Sequence, residues 1–129
     1  MHIEFIIPLT KDLIPSEANR GGEHWTKKHK RHQQQKFLIN AYMNKFSNST
    51  IQLPITISLI RIAPRSLDKE DNLPASMKFF KDYIADYLIP GKAAGRADDS
   101  DQLAWKFGQE KGKPKEYALR VSIDTILSQ

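Results

Sequence analysis

Two groups of carboxylates stand out in this chain: Asp68, Glu70 and Asp71, and later Asp98, Asp99 and Asp101. Carboxylates held close together repel unless a cation joins them. Oxygen ligands of this kind suit Mg2+ or Mn2+, which keep several waters and bind through a few carboxylates. The competing reading is a solvated turn, because Asp and Ser are turn residues. A third feature is basic. Lys27, Lys28, Lys30, Arg31 and Lys36 share one thirteen-residue stretch with His24, His29 and His32. Hydrolysis of a phosphodiester needs such a split: cations neutralise phosphates, and acids hold a metal at the reacting one.

The elements that must position these groups can be read from periodicity. Residues 3–8 read as a short buried strand, and 10–23 as a polar, irregular stretch with Pro15 and Gly21-Gly22. From about His24 to Phe46 there is no Pro or Gly. Phe37, Leu38, Ala41, Tyr42, Lys45 and Phe46 form a stripe at helical spacing on the second half, while the first half is polar all round and is expected to project beyond the core. Leu53 to Ala63 alternates Ile with Thr, Ser and Arg and reads as a strand. A second helix is expected from Asn72 to Leu88, with Pro74 in its first turn, where a missing N–H costs little. Leu103 to Gln109 and Glu116 to Ile126 read as two strands joined by a basic hairpin turn, residues 110–115. The expected fold is α+β: a single domain over residues 1–129, a mixed four-stranded sheet and two main helices, in the order β-α-β-α-β-β.

The second helix has two faces. Leu73, Met77, Phe80, Ile84 and Leu88 make one stripe, which must pack on the sheet. Asp71, Ala75, Lys78 and Asp82 lie on roughly the opposite side. On its own this edge reads as a solvated face with a Lys78–Asp82 pair worth about 0.3–0.5 kcal/mol. The acidic groups shift the balance, since each adjoins a strand and the two can converge at one end of a sheet.

Composition bounds the alternatives. A hydrophobic share of 40% and a charged share of 27% are ordinary for a soluble globular protein. The net charge of +5 is modest, so its distribution matters more than its size. The chain has no cysteine, which excludes disulfides, thiolate-bound zinc and a thiol nucleophile, and suits a reducing cytoplasm. No stretch approaches a membrane span, and the apolar start is too short for a signal peptide. No HExxH, P-loop or GxSxG pattern is present.

The run Asp71-Asn72-Leu73-Pro74-Ala75-Ser76-Met77-Lys78, followed by Asp82, is similar to the D-N-L-x-x-x-x-K-x-x-x-D pattern of phage-type RusA proteins, a family of Holliday-junction resolvases. Asp98-Asp99-Ser100-Asp101 resembles the second acidic motif of that family. Trp105 to Gln109 resembles its W-x-[YF]-x-Q strand, and Tyr117 to Ile123 its last strand. Pro15-Ser16, Asn19 and His24-Trp25 resemble its P-S-x-N and H-W segments. The resemblance covers about residues 3–124. One departure concerns the D-x-D-N motif: where the family has an acid two residues before the second Asp, this chain has Lys69, flanked by Asp68 and Glu70.

The resemblance implies a bacterial or phage-encoded, cytoplasmic homodimer that nicks four-way DNA in recombination and repair. It implies Mg2+, or Mn2+, held by Asp68, Asp71, Asp99 and Asp101. Asp71, Lys78 and Asp99 would be the catalytic residues, with Lys78 at the scissile phosphate. Lys27, Lys28, Lys30 and Arg31 would grip backbone phosphates without reading sequence. His29 and His32 are expected to face solvent, and Trp25 to anchor a core. Leu103, Trp105 and Phe107 share one strand face, as core or dimer interface. Two other functions remain: a catalytically weakened or inactive relative that only binds DNA, and a single-strand or RNA-binding protein using the basic helix and the aromatics.

Overall fold

The computed structural model describes residues 2–14, 24–46, 51–67, 72–89 and 100–126. Its elements are β1 (His2–Leu9), a 3-10 turn (Lys11–Leu13), α1 (Trp25–Phe46), β2 (Ile55–Ala63), α2 (Asn72–Leu88), β3 (Leu103–Lys111) and β4 (Tyr117–Thr125). The protein is α+β, with one mixed four-stranded sheet and two main helices.

The strand order is β1-β4-β2-β3. β4 is antiparallel to both β1 and β2, while β2 and β3 run parallel, with Ile55 beside Leu103 and Ala63 beside Lys111. α2 is the crossover that a parallel pair requires. This arrangement corrects one expectation. β3 and β4 follow each other in the chain but do not form a hairpin, because β2 lies between them. Their connection passes the end of β2 instead, and the Gly112 N–H donates to the Ala63 carbonyl at 2.8 Å. The physical reason is burial. Ile55, Ile57 and Leu59 on one face of β2 are fully buried, and Ile62 on the other is nearly so. Such a strand belongs inside a sheet.

The helices cover one face. Phe5, Ile7, Ile57, Leu59, Leu119, Val121 and Ile123 meet Leu73, Met77, Phe80 and Ile84 of α2 in a single core. The stripe read for α2 is therefore the buried one, with Leu88 packed at its margin. α1 differs from its expected phase. Its buried positions are Arg31, Gln35, Ile39 and Met43, spaced four residues apart. Phe37, expected in the stripe, is 71% exposed. Trp25 to Lys30 are exposed all round, as expected, and the helix packs on the protein along one line from Arg31 onward. Gln35 fits there because its amide N–H donates to the Leu13 carbonyl at 2.9 Å. No described helix is long and apolar enough to cross a membrane.

Candidate metal and phosphate-contact site

The carboxylate groups belong to the two connections that flank α2. The first connection is fixed at its root. Arg61, near the end of β2, is only 6% exposed, and its guanidinium donates to the carbonyls of Arg65, at 2.9 Å, and Ile14, at 3.4 Å. Burial draws this guanidinium below its ordinary value, partly offset by Tyr117. Among the described residues its Nε has no hydrogen-bond partner. Two residues further on, the Leu67 N–H donates to Gln109 Oε1 at 2.9 Å, and Gln109 Nε2 donates back to the Leu67 carbonyl at 2.7 Å. Gln109 lies near the end of β3, so this root sits at the C-terminal end of the parallel pair. α2 begins against the same end: Leu73 and Pro74 line a groove with Phe107, Gly108 and Gln109. Sequence reasoning missed Arg61, whose signal is a lone arginine among the isoleucines of a strand.

The second connection enters at the opposite end. Asp101 is exposed and stands two residues before Leu103, which pairs with Ile55, the first residue of β2. The Ser100 hydroxyl accepts from the Gln102 N–H at 3.2 Å and fixes this turn. Convergence of the two acidic groups at one end of one sheet therefore does not hold for Asp101. Parallel strands joined by a helical crossover put the exit of the first and the entry of the second at opposite ends. Asp68, Asp71 and Asp99 lie outside the described residues, as do Glu70 and Asp98. Among the described residues, no group of three or more His, Asp or Glu side chains could hold a metal ion.

Lys78 is exposed on α2, as its stripe requires, and its ammonium lies 5.6 Å from the Phe79 ring centre. Lys81, one turn on, sits 5.5 Å from the ring centre of Trp105 and 6.0 Å from that of Phe107. Of the three aromatic-face residues on β3, Leu103 is buried, Trp105 is half-buried and Phe107 is 38% exposed.

On α1, Lys27, Lys28 and Lys30 are exposed. Arg31 is not: at 5% exposure it belongs to the inner line of the helix, which corrects its place among the phosphate contacts. It shares a side of the helix with Lys27 and Lys28, one turn earlier, but lies where the helix begins to pack on the protein. Trp25 is 70% exposed and stacks on His24 at 5.9 Å, so it anchors no core. His29 is exposed, but His32 is half-buried and stacks on Phe79 of α2, with ring centres 3.7 Å apart. This stack joins the two helices. The first turns of α1, exposed all round, therefore carry three lysines, a histidine and a tryptophan, a combination able to hold phosphates and a base or ribose face.

Comparison with protein-family models found no match, and comparison with curated proteins found none.

Proposed function

We propose that this chain is a Mg2+-dependent endonuclease of the RusA type, which resolves four-way DNA by paired nicks. The observation that carries the reading is the pairing of two surfaces. α1 offers exposed Lys27, Lys28 and Lys30 beside Trp25, and α2 offers exposed Lys78 in the helix that directly follows Asp68–Asp71. Both sets of residues also stand in the order that the resemblance requires.

The donor set fits a hard divalent cation, because it is carboxylate throughout and contains no thiolate. Asp68, Asp71 and Asp99 would hold Mg2+ or Mn2+; Asp101, at the opposite end of the parallel pair from Leu67, is left out of the set. When bound, such an ion lowers the pKa of water and offsets charge on a phosphorane. The remaining chemistry belongs to the chain. Lys78 meets the scissile phosphate or orients the attacking water. Lys27, Lys28 and Lys30 set the register of the backbone. Asp71 and Asp99 orient the reacting groups. The products carry 5′-phosphate and 3′-hydroxyl ends.

The test is incubation with an end-labelled four-way junction, with linear duplex and with single strand, in EDTA, Mg2+ or Mn2+. Paired nicks in the junction alone, lost in Asp71→Asn, are the expected result. Indifference to the junction would end the reading. One residue favours a second function, a junction-binding protein without cleavage: Lys69 stands where the family pattern places an acid. Tight junction binding with no cut under any metal would select it.

A further inference from the structure

We infer that the groove between Phe37 and Leu13, on the outer face of α1, seats one unpaired base of a DNA strand. The base stacks on Phe37, its edge meets Gln33 and Gln34, and its phosphate meets Lys30. This seat rests on the nucleic-acid side of the reading above and does not depend on cleavage.

Phe37 is 71% exposed in the middle of a helix that buries Ile39 and Met43 completely. A lone exposed apolar residue is common and needs no partner. Phe37 is not alone. With Leu13, Lys30, Gln33, Gln34 and Leu38 it lines an open groove of about 470 Å3. That volume falls within the roughly 300–1,000 Å3 of small-ligand sites. The groove has a fixed wall. Gln35, 1% exposed, donates to the Leu13 carbonyl at 2.9 Å, and the next residue, Ile14, is fully buried. The Leu13 side is therefore tied to the helix that forms the other side.

Helix geometry brings the remaining groups together. Lys30, Gln33, Gln34 and Phe37 stand at positions i, i+3, i+4 and i+7, so they share one face. Side chains of a helix lean toward its N-terminus, which carries Phe37 toward the turn that holds Gln33 and Gln34. All four residues are exposed. The ring offers a flat apolar face. The amides offer both donors and acceptors, which suit the edge of a base. Lys30, one turn beyond, offers a positive charge. A nucleotide has the complementary parts in the same order: a flat ring, polar edges and, past the sugar, a phosphate.

Charge selects the occupant. An apolar peptide would meet the groove walls but gain nothing from the rest of the face. α1 has no Asp or Glu among its 22 residues, and Lys27, Lys28, Lys30 and Lys36 are exposed along it. The adjoining turn adds Lys11 and Asp12, both exposed, whose charges cancel. These surroundings suit a polyanion. Phe37 also has a counterpart on the far side of Lys27, Lys28 and Lys30. Trp25 is 70% exposed and lies about 18 Å back along the axis. Aromatic faces with cations between them hold single strands, bases on rings and phosphates on lysines. Bases inside a duplex are stacked on both sides and have no free face for Phe37. The seat therefore takes an unpaired base, such as one freed where the arms of a branched DNA open.

Fluorescence anisotropy with a labelled oligothymidine tests the seat, beside a duplex of equal length and a strand of abasic sugar-phosphate. Phe37→Ala should bind the thymidine strand about tenfold more weakly, the effect of losing one stacked base. It should bind the duplex and the abasic strand as the unmodified chain does. Phe37→Tyr and Phe37→Trp should keep the affinity, and Phe37→Leu should lose nearly as much as Phe37→Ala. Lys30→Ala should lower the salt slope on the single strand by about 0.7. Phe37 is exposed, so urea midpoints should match that of the unmodified chain, and a loss of affinity is then not a loss of fold. Full affinity of Phe37→Ala or Phe37→Leu for the thymidine strand, or an equal loss on the duplex, would overturn the seat. So would an unmodified chain that binds no single strand. A junction that is cut while Phe37→Ala binds single strands normally removes the base seat alone. A tenfold loss in Phe37→Ala with no junction cut removes the nuclease reading alone.

Discussion

The two helices are built on opposite plans. α2 buries apolar side chains along one line: Leu73, Met77, Phe80 and Ile84. α1 buries Arg31 and Gln35 ahead of Ile39 and Met43, and leaves Phe37 and Trp25 about 70% exposed. Burying a charged or amide group costs free energy that an apolar residue would not. Exposing two large aromatics forgoes burial on the order of 1.5–3 kcal/mol each. A helix selected only to close the core would exchange these residues. α1 is therefore shaped by what its outer face meets, and α2 by what its inner face covers.

The largest effects that could break this contrast are in the core. Phe80→Ala should cost about 3–5 kcal/mol, because Phe80 is fully buried. Phe37→Ala should change stability by no more than about 0.5 kcal/mol. Urea melts of the two variants check the pair. Equal losses would mean that α1 packs its aromatic after all.

Next come the cations of α1. Replacing Lys27, Lys28 and Lys30 by alanine should reduce the slope of log affinity against log salt by about 2.7, at about 0.9 per phosphate contact, for a duplex arm. Stability should hold. Arg31→Ala should do the reverse, lowering the urea midpoint and sparing the slope. If Arg31→Ala flattens the slope as the lysines do, its buried position does not govern its role.

The smallest effect sharpens the contact between the helices. His32 and Phe79 stack with an interplanar angle of 28°. A double-mutant cycle with His32→Leu and Phe79→Leu should return a coupling of about 0.5–1.5 kcal/mol. A coupling of zero would make α1 and α2 independent neighbours.

On the open face of the sheet, Arg120 donates to Glu110 and holds that carboxyl below its ordinary 4.5. A depressed carboxylate contributes stability above its unfolded value and loses it as pH falls through the folded one. Glu110→Gln should therefore flatten the decline of thermal midpoint below pH 4.5 while leaving the midpoint at pH 7 lower. Parallel curves for the two proteins would remove the pair from the acid response.

Much of this was legible before any coordinates. α2 was readable to its ends, because a 3.6-residue apolar period, Pro74 in the first turn and Pro90 beyond are all local signals. The exposure of Lys78 followed from the same period. α1 was readable in extent but not in phase. Its buried line begins with Arg31 and Gln35, and a pattern search that equates inside with apolar passes over both. Arg61 escaped for the same reason.

The sequence by itself determined which segments are strands and helices, that a basic helix precedes two acidic connections, and that cysteine chemistry is absent. Each of these depends on neighbours within a few residues. Only the tertiary structure decided that β4 enters between β1 and β2, that β3 is left as an edge, and that Asp101 and Leu67 stand at opposite ends of the parallel pair. Those outcomes depend on which strand buries most along its length, as β2 does from Ile55 to Ala63. That competition involves residues far apart in the chain, and no local period records it.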